Sequence, residues 1–459
     1  MDERWFAIAG VLMLVISLAM AGGAMTSEAE DQSVWTPDVP TLESLASPSA
    51  DGTVMSNQET YDSVQSAVNA AEPGDEIVID GTIEERIIVD TPNITIRGAT
   101  ESAEPARIDG GGTDTVVTID APNVTVTELQ ITGSGEERRT EDAGIDVNAT
   151  DATIDSVRID DVTFGIWVSR APNATITNNE ISGAPDRDVS LRGNGIHLFE
   201  ADGAVVTNNA ITDVRDGIYY QWASDVIATD NRLWNLRYGV HYMYSDNNIL
   251  AGNLAFNNDI GFALMVSENL TIIENQAVDN RDGPSQHGIL IKDIDDSTIS
   301  GNDIVGNGNG LYVYNAQDNE IRDNLVLENA VGIHYTAGSS GETIAGNSFI
   351  HNDRPGQVTA TSERSTWNAT GYGNYWSDAR TIDLDGDGTS QVRYQPAGAI
   401  EQLIDSQPAA AVFAESPAFD AVRLAESSFP VLGETGVVDQ HPLTEPPHDY
   451  WREYYEHNN

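Results

Sequence analysis

The chain has 459 residues, which is enough for a large core and for more than one structural region. It carries 73 acidic residues against 22 basic ones, a formal charge of -51, and this balance disfavours nucleic-acid binding because no basic patch is available to replace phosphate counterions. Cysteine is absent, which excludes disulfides and thiolate metal sites and leaves histidine, methionine and oxygen atoms as the available ligands.

The acid excess would be typical of disorder, but the hydrophobic content of 40% and the regular apolar spacing argue against it. The composition instead predicts a folded protein whose surface is adapted to high salt.

The N-terminal 27 residues contain an apolar run, Trp5 to Ala24, of about bilayer length. We interpret residues 1–27 as a signal peptide or a membrane anchor, with the rest of the chain outside the cytoplasm. Residues 28–56 are rich in Ser, Pro, Glu and Asp and are predicted to form a flexible acidic spacer.

The stretch ETYDSVQSAVNAAEPGDEIVIDG, which begins at Glu59, has the pattern of an amphipathic helix followed by a turn and a strand. Such a helix would cover the open end of a repeat structure.

A 22-residue repeat dominates residues 57–352. Glycine opens a mostly hydrophobic pentad eight times, at steps of 30, 22, 22, 22, 27, 22 and 22 residues: Gly165, Gly195, Gly217, Gly239, Gly261, Gly288, Gly310 and Gly332. An asparagine follows each glycine after fourteen or, once, fifteen residues: Asn179, Asn209, Asn231, Asn253, Asn275, Asn302, Asn324 and Asn347. The period predicts an all-β fold, a right-handed parallel β-helix with about 22 residues per coil.

Turn chemistry explains most of the repeated polar residues. The glycines and asparagines are expected at turns with left-handed or side-chain-bonded backbone, and stacked asparagines can form a hydrogen-bonded ladder. The longer steps contain polar insertions such as APDRDVSLR, which are predicted to be loops.

Strand alternation divides each pentad between two faces. The first and third residues after each glycine are apolar or tyrosine and should point into the core, whereas the second and fourth face outward. The outward positions hold aromatic, histidine and methionine residues, no Asp or Glu, and one charge, Lys292. A strip of this kind on so acidic a chain indicates a binding surface.

Two methionines occupy the same outward position one repeat apart. Met243 and Met265 are two of only three methionines after residue 27, and His241 lies on the same strand face two residues before Met243. Equivalent side chains on neighbouring coils are about 5 Å apart. Thioether and imidazole ligands without thiolate suit Cu(I), so we predict a copper site at His241, Met243 and Met265.

Two further histidines, His197 and His334, occur at the outward second position of other coils and are weaker candidate copper ligands. The alternative to a copper site is that the methionines fill a protein interface or pack under a loop.

Residues 353–459 lose the period and are predicted to form a C-terminal cap and a partner-binding tail. Within them, DLDGDGTS places Asp383, Asp385 and Asp387 at the alternate spacing of a calcium loop, but Tyr394 stands where the bidentate Glu is expected. This stretch is therefore interpreted either as a weak calcium-binding loop or as a hydrated Asp-Gly turn.

The runs RYGVHYMYSDNN and GFALMVSENLTIIEN, with GNYWSDA, DLDGDG and FPVLGETGVVDQHPL nearer the C-terminus, resemble the NosD family. The resemblance covers residues from about 57 to 445. It implies a non-catalytic β-helix protein that acts outside the membrane with an ABC transporter and helps to supply copper, with sulfur as another conceivable cargo, to nitrous oxide reductase.

The same resemblance implies four partners: a transporter permease, its ATPase, a copper chaperone and the reductase. It assigns the role of copper ligands to His241, Met243 and Met265. It also implies that the protein associates with the membrane, either through a partner or through the N-terminal segment.

Two other classes of function compete with copper handling. Parallel β-helices often act on polysaccharides, which requires paired carboxylates, yet the exposed columns hold aromatic and histidine residues. Acids such as Asp216, Asp246 and Asp259 are predicted to lie in solvated turns. A carbohydrate-binding role and a metal-free docking scaffold therefore both remain as alternatives.

Overall fold

The computed structural model describes residues 34–38, 40, 52–99, 105–359, 365–397 and 437–456, with short pieces between 403 and 422. The predicted leader and most of the predicted spacer lie outside these residues. Among the described residues, no helix is both long and apolar enough to cross a membrane.

Each coil consists of three short strands, and successive coils stack to give three long sheets. In one coil, for example, Ile260–Glu268 is followed by Thr271–Ile273 and then by Gln276–Val278 before the next coil begins at His287. The pairing between coils is parallel, apart from the first strand, Thr53–Ser56, which pairs antiparallel with both neighbours. The predicted parallel β-helix is confirmed.

Sheet 1 contains fourteen strands: Glu59–Tyr61, Thr53–Ser56, Glu76–Asp80, Thr95–Gly98, Thr125–Thr127, Thr153–Asp155, Thr175–Thr177, Val205–Thr207, Ile227–Thr229, Ile249–Ala251, Thr271–Ile273, Thr298–Ser300, Glu320–Arg322 and Thr343–Ala345. Sheet 2 contains thirteen: Thr82–Glu84, Arg107–Asp109, Gln130–Thr132, Arg158–Asp160, Glu180–Ser182, Ala210–Thr212, Arg232–Trp234, Leu254–Phe256, Gln276–Val278, Asp303–Val305, Leu325–Leu327, Ser348–Ile350 and Tyr375–Trp376.

Sheet 3 carries the pentads and contains twelve strands: Ile87–Val89, Val117–Ile119, Ala143–Val147, Phe164–Ser169, Ile196–Phe199, Asp216–Gln221, Tyr238–Met243, Ile260–Glu268, His287–Asp295, Asn309–Tyr314, Val331–Tyr335 and Arg354–Val358. Ser365–Thr366 and Val437–Val438 pair separately.

The helix Val64–Ala70 covers the N-terminal end of the stack as predicted. Ser63 caps it by accepting a hydrogen bond from the Ser66 amide in a capping box, and Val64, Ala67 and Val68 bury its apolar face in the same core as the strands. The first strand, Thr53–Ser56, begins before the predicted boundary at residue 57.

The core is a single apolar column inside the three sheets. The first and third pentad residues, such as Val240 and Tyr242, are fully buried in it, which confirms the predicted inward face. Residues that alternate with them lie outside this column.

The predicted asparagine ladder is present. Side-chain amides of successive asparagines donate to the next side-chain carbonyl over 2.8–3.0 Å from Asn179 to Asn347, and the ladder continues to Asn374. A second ladder runs from Asn258 to Asn352. Each amide also donates to a backbone carbonyl, so the ladders satisfy polar groups that the corners of the coils bury.

The pentad glycines do not have the left-handed backbone that we expected. Gly239 lies inside the strand Tyr238–Met243 and is not among the positive-φ glycines. A Cβ at this position would lie 2.5 Å from the carbonyl oxygen of Gly261 on the next coil. Close stacking of neighbouring coils, and not turn geometry, therefore requires glycine there.

The C-terminal tail lies on the outer face of sheet 2. Tyr450 and Tyr454 each donate a hydrogen bond of 2.7 Å to the Asp303 carboxylate, and Tyr454 is buried beside Trp35. Other helical segments among the described residues include the 3-10 helices Arg138–Thr140, Val189–Leu191, Pro408–Phe413 and Asp449–Arg452 and the short α-helix Glu453–Glu456. These tail aromatics therefore contact the chain's own sheet, and a role of the tail in partner binding stays a prediction.

Candidate metal and ligand site

An aromatic column runs along the outer face of sheet 3. Strand pairing places Trp167, His197, Tyr219 and His241 on successive coils. Their ring centroids are separated by 3.8 Å, 4.6 Å and 4.6 Å in that order. The column ends where His241 pairs with Ala263, whose side chain is too small to continue the stack. These contacts confirm that the second pentad position faces outward.

A groove of about 570 Å³ lies over this column. Its floor includes Phe164, Trp167, Tyr219 and the two histidines, and residues 138–141 form part of its wall. The loops around it are the insertions between repeats: Arg138 donates to the Ser190 carbonyl over 3.1 Å, which ties residues 138–140 to the insertion 184–192. Arg138, Arg139 and Glu141 therefore form a wall beside a ligand-sized space, and the insertion 184–192 contacts that wall through Ser190.

His241 is held by a buried carboxylate. Its Nδ1 lies 3.0 Å from Oδ2 of Asp216, and Arg237 binds the same carboxylate through Nε at 2.8 Å and Nη2 at 2.5 Å. Burial alone would raise the pKa of Asp216, but the hydrogen bonds from His241 and Arg237 outweigh it and lower that pKa to about 2. Asp216 is therefore ionised and can only accept, so Nδ1 of His241 carries the proton.

This arrangement leaves the other ring nitrogen of His241 available. Nε2 is buried and has no hydrogen-bond partner among the residues that the structure describes. In the tautomer that carries its single proton on Nδ1, Nε2 presents a lone pair to a metal. A carboxylate that orients a histidine in this way is the usual second layer of a histidine metal site.

Met243 and Met265 lie at equivalent positions of adjacent coils. The paired register of their strands extends to His241 and Ala263, which precede Met243 and Met265 by two residues each. Beyond that pair the Tyr244 amide donates to the Val266 carbonyl over 2.9 Å. Both methionines are half-buried and lie outside the core column. Met265 also packs against an outer cluster that contains Ala263 and Leu290.

His197 and His334 are not brought together with His241. The ring of Tyr219 lies between His197 and His241, and His334 is four coils away from His241, where its Nε2 lies 3.0 Å from Thr359 Oγ1. Burial lowers the pKa of His197 to about 3, and its ring nitrogens lie within hydrogen-bond distance of Asn194 and Gln221. A copper role for these two histidines stays a prediction, and it would require copper-binding sites separate from the one at His241.

The three acidic residues of the predicted calcium loop lie close together and are exposed, with carboxylate oxygens within 4.8 Å of one another. Asp383 accepts hydrogen bonds from the Gly386 and Gly388 amides, which lower the pKa of its carboxyl, and Asp387 accepts from Thr389. Calcium binding stays a prediction here. A melting temperature that rises with calcium and falls with a chelator at constant ionic strength would support it.

The expectation that Asp216 and Asp259 are solvated turn residues is wrong. Asp216 is 1% exposed and bound to Arg237 and His241. Asp259 is 6% exposed and accepts hydrogen bonds from the Ser285 and Gln286 amides in an insertion. Only Asp246 keeps intermediate exposure. Covering loops and neighbouring coils bury positions whose local sequence is typical of turns.

Sequence reasoning also missed the arginines of the groove. Arg215 and Arg237 both stand two residues before a pentad glycine, and the Arg237 amide donates to the Arg215 carbonyl over 2.8 Å, so they stack on adjacent coils. The signal for them is the recurrence of arginine two residues before Gly217 and before Gly239, whereas the predicted binding surface uses only positions that follow each glycine.

Comparison with known proteins identifies the relatives of this chain. Residues 181–381 match the family model described as periplasmic copper-binding protein (NosD). The chain is 40% identical over 358 residues to the "Probable ABC transporter binding protein NosD" of Pseudomonas aeruginosa, covering 74% of this chain and 82% of that protein. It is 37% identical over 360 residues to the protein of the same name from Stutzerimonas stutzeri, covering 74% and 81%.

Solved structures show only remote likeness. The Dettilon tailspike protein gp208 matches with a TM-score of 0.48 at 15% identity over 64% of each chain. The periplasmic alginate epimerase AlgG matches with a TM-score of 0.41 at 12% identity, covering 71% of this chain and 99% of that one. The strand pairing described above establishes the fold without them.

The curated relatives are named as binding proteins of an ABC transporter, which agrees with the predicted accessory, non-catalytic character. The family description is periplasmic, in agreement with a location outside the cytoplasm. Because these matches extend over 74% of the chain at 37–40% identity, the chain belongs to the NosD family.

Proposed function

We propose that this protein is an extracytoplasmic copper-handling maturation factor that works with an ABC transporter to supply copper to nitrous oxide reductase. The observation that carries the proposal is the unpartnered Nε2 of His241, which is oriented by Asp216 and shares a strand face with Met243. The description of the family model as copper-binding and the transporter named for both relatives support it.

The donor set fits copper as a cargo. Met243 and Met265 supply thioethers and His241 an imidazole, and soft ligands of this kind favour Cu(I) over harder divalent ions. The position of the site also fits delivery, since all three residues lie on the outside of the solenoid and not in its core. The half-buried methionines are the part of the site that a partner would approach.

The proposed partners are the transporter permease and its ATPase, a chaperone that brings copper, and the reductase that receives it. Exposed aromatic rings flank the methionines: Trp222 and Tyr244 are 47% and 49% exposed and stack with centroids 5.9 Å apart. Large exposed apolar side chains beside a site are typical of a surface that binds another protein.

A test in the native host would replace the gene with variants and measure the copper content of purified nitrous oxide reductase. We expect His241→Ala and the double variant Met243→Leu with Met265→Leu to give copper-depleted reductase. Met55→Leu is the matched control, because Met55 is 42% exposed on the first strand, far along the stack from the site. Full copper loading in the double variant, with the variant protein present at parental abundance, would refute the proposal.

A further inference from the structure

The groove over the aromatic column is positively charged in a chain of formal charge -51. Four of the 21 arginines line it: Arg138, Arg139, Arg215 and Arg237. The acidic residues among its lining are Glu141 and Asp216, so the lining carries a formal excess of two positive charges. A solvated surface of this chain would be expected to carry the negative charge of the whole molecule. The opposite charge of the groove therefore indicates that it binds an anionic ligand.

Three of these arginines have no acidic partner. Arg237 is neutralised by Asp216, whereas Arg138, Arg139 and Arg215 make no ion pair with any residue in the described part of the chain. Arg138 uses Nη1 on the Ser190 carbonyl, which keeps the guanidinium at the groove wall without neutralising it. Their remaining donors are available to a ligand.

Arg215 is half-buried and stands beside another cation. The backbone hydrogen bond from Arg237 to Arg215 sets the two residues on adjacent coils, about 4.8 Å apart. Burial and the charge of Arg237 both lower the pKa of Arg215, so its charge is poorly compensated. An anion bound in the groove would stabilise the charged form of Arg215 and so offset both the burial and the repulsion by Arg237.

From these observations we infer that the groove binds a small molecule bearing a doubly charged oxoanion, such as a phosphate or sulfate group, through Arg138, Arg139 and Arg215. The double charge matches the excess of the lining. Guanidinium groups bind such oxoanions through paired hydrogen bonds. The volume of about 570 Å³ is in the range of small-molecule sites.

The inference does not depend on copper. Arg215 and the loop arginines lie on coils and insertions that precede the methionines, and no proposed copper ligand is needed to hold the anion. The test therefore uses the full chain without metal, so that its failure leaves the proposed copper function untouched.

The experiment is isothermal titration of the copper-free protein with inorganic phosphate at constant high chloride concentration, with nitrate as the singly charged control. We expect saturable binding of phosphate, a rise in melting temperature with phosphate, and neither effect with nitrate. Arg215→Gln should weaken binding at least about tenfold, as expected for loss of a charge-assisted pair of hydrogen bonds.

Two further variants keep the result interpretable. Arg139→Gln changes an exposed residue of the 3-10 helix Arg138–Thr140, and it should also weaken phosphate binding. Arg232→Gln, an exposed arginine on sheet 2 away from the groove, should bind phosphate like the parent. Absence of saturable phosphate binding by the parent, or equal affinity in the parent, Arg215→Gln and Arg139→Gln, would overturn the inference.

Discussion

The Asp216 carboxylate, on one coil, lies 3.0 Å from Nδ1 of His241, on the next coil, and determines which nitrogen of that ring is free. The contact is possible because parallel pairing sets Asp216 opposite Tyr238, three residues before His241. Arg237 holds the same carboxylate from the other side, so the histidine is oriented by a buried ion pair.

Asp216→Asn should weaken Cu(I) binding by about 10- to 100-fold, which is the usual cost of losing a carboxylate behind a ligating histidine. The change removes the negative charge that keeps the proton on Nδ1 and orients the ring. The measurement is anaerobic competition for Cu(I) with a chromophoric chelator.

Asp225→Asn is the matched control, because Asp225 lies exposed in a turn of the coil that contains Asp216. The same Cu(I) affinity in Asp216→Asn and in the parent would show that the carboxylate plays no part in ligation.

His197 should make the protein less stable as the pH falls. Burial lowers its pKa from 6.5 to about 3, so the unfolded chain takes up a proton on this residue at pH values where the folded chain does not. Its contribution to stability is therefore complete above about pH 6.5 and is lost progressively as the pH falls towards 3, at up to about 1.4 kcal/mol per pH unit.

The free energy of unfolding, measured by denaturant titration across this range, checks this expectation. A His197→Gln variant, which keeps polar atoms at the position without a group that titrates there, should show a shallower pH dependence. Parallel curves for the parent and the variant would be inconsistent with a neutral, buried His197.

Asn253→Ala should destabilise the fold by several kcal/mol. Asn253 donates to the Asn275 carbonyl oxygen and to the Ala228 carbonyl, and it accepts from Asn231, all in a buried environment. Its removal leaves buried donors and acceptors without partners, at about 1–3 kcal/mol each.

The measurement is again the free energy of unfolding, with Asn148→Ala as the control. Asn148 is exposed, and its side chain bonds only to the carboxylates of Asp120 and Asp146. Equal losses in the two variants would mean that ladder bonds contribute no more than surface bonds.

The fold and the faces of its strands were predictable from the sequence, because the 22-residue period encodes both the coil and the register. Period-two alternation placed Val240 inside and Met243 outside without any structural knowledge. The asparagine ladder followed from the same spacing, since equal positions on stacked coils must be neighbours.

The groove was not predictable in this way. Its wall comes from insertions that break the period, and Arg138 reaches Ser190 across 52 residues of sequence. The burial of Asp216 likewise depends on Arg237 and His241 from the next coil, which turn composition around Asp216 does not reveal. The positive charge of the groove is also hidden by the acidity of the whole chain.

X-ray absorption at the copper edge of the Cu(I)-loaded protein tests the copper account most directly. The chain has no cysteine, so any sulfur bound to copper must come from methionine. We predict sulfur and nitrogen scatterers in the parent and in Met55→Leu, and loss of the sulfur shell in Met243→Leu with Met265→Leu. A shell of nitrogen and oxygen alone in the parent, or an unchanged sulfur shell in the double variant, would contradict the proposed site.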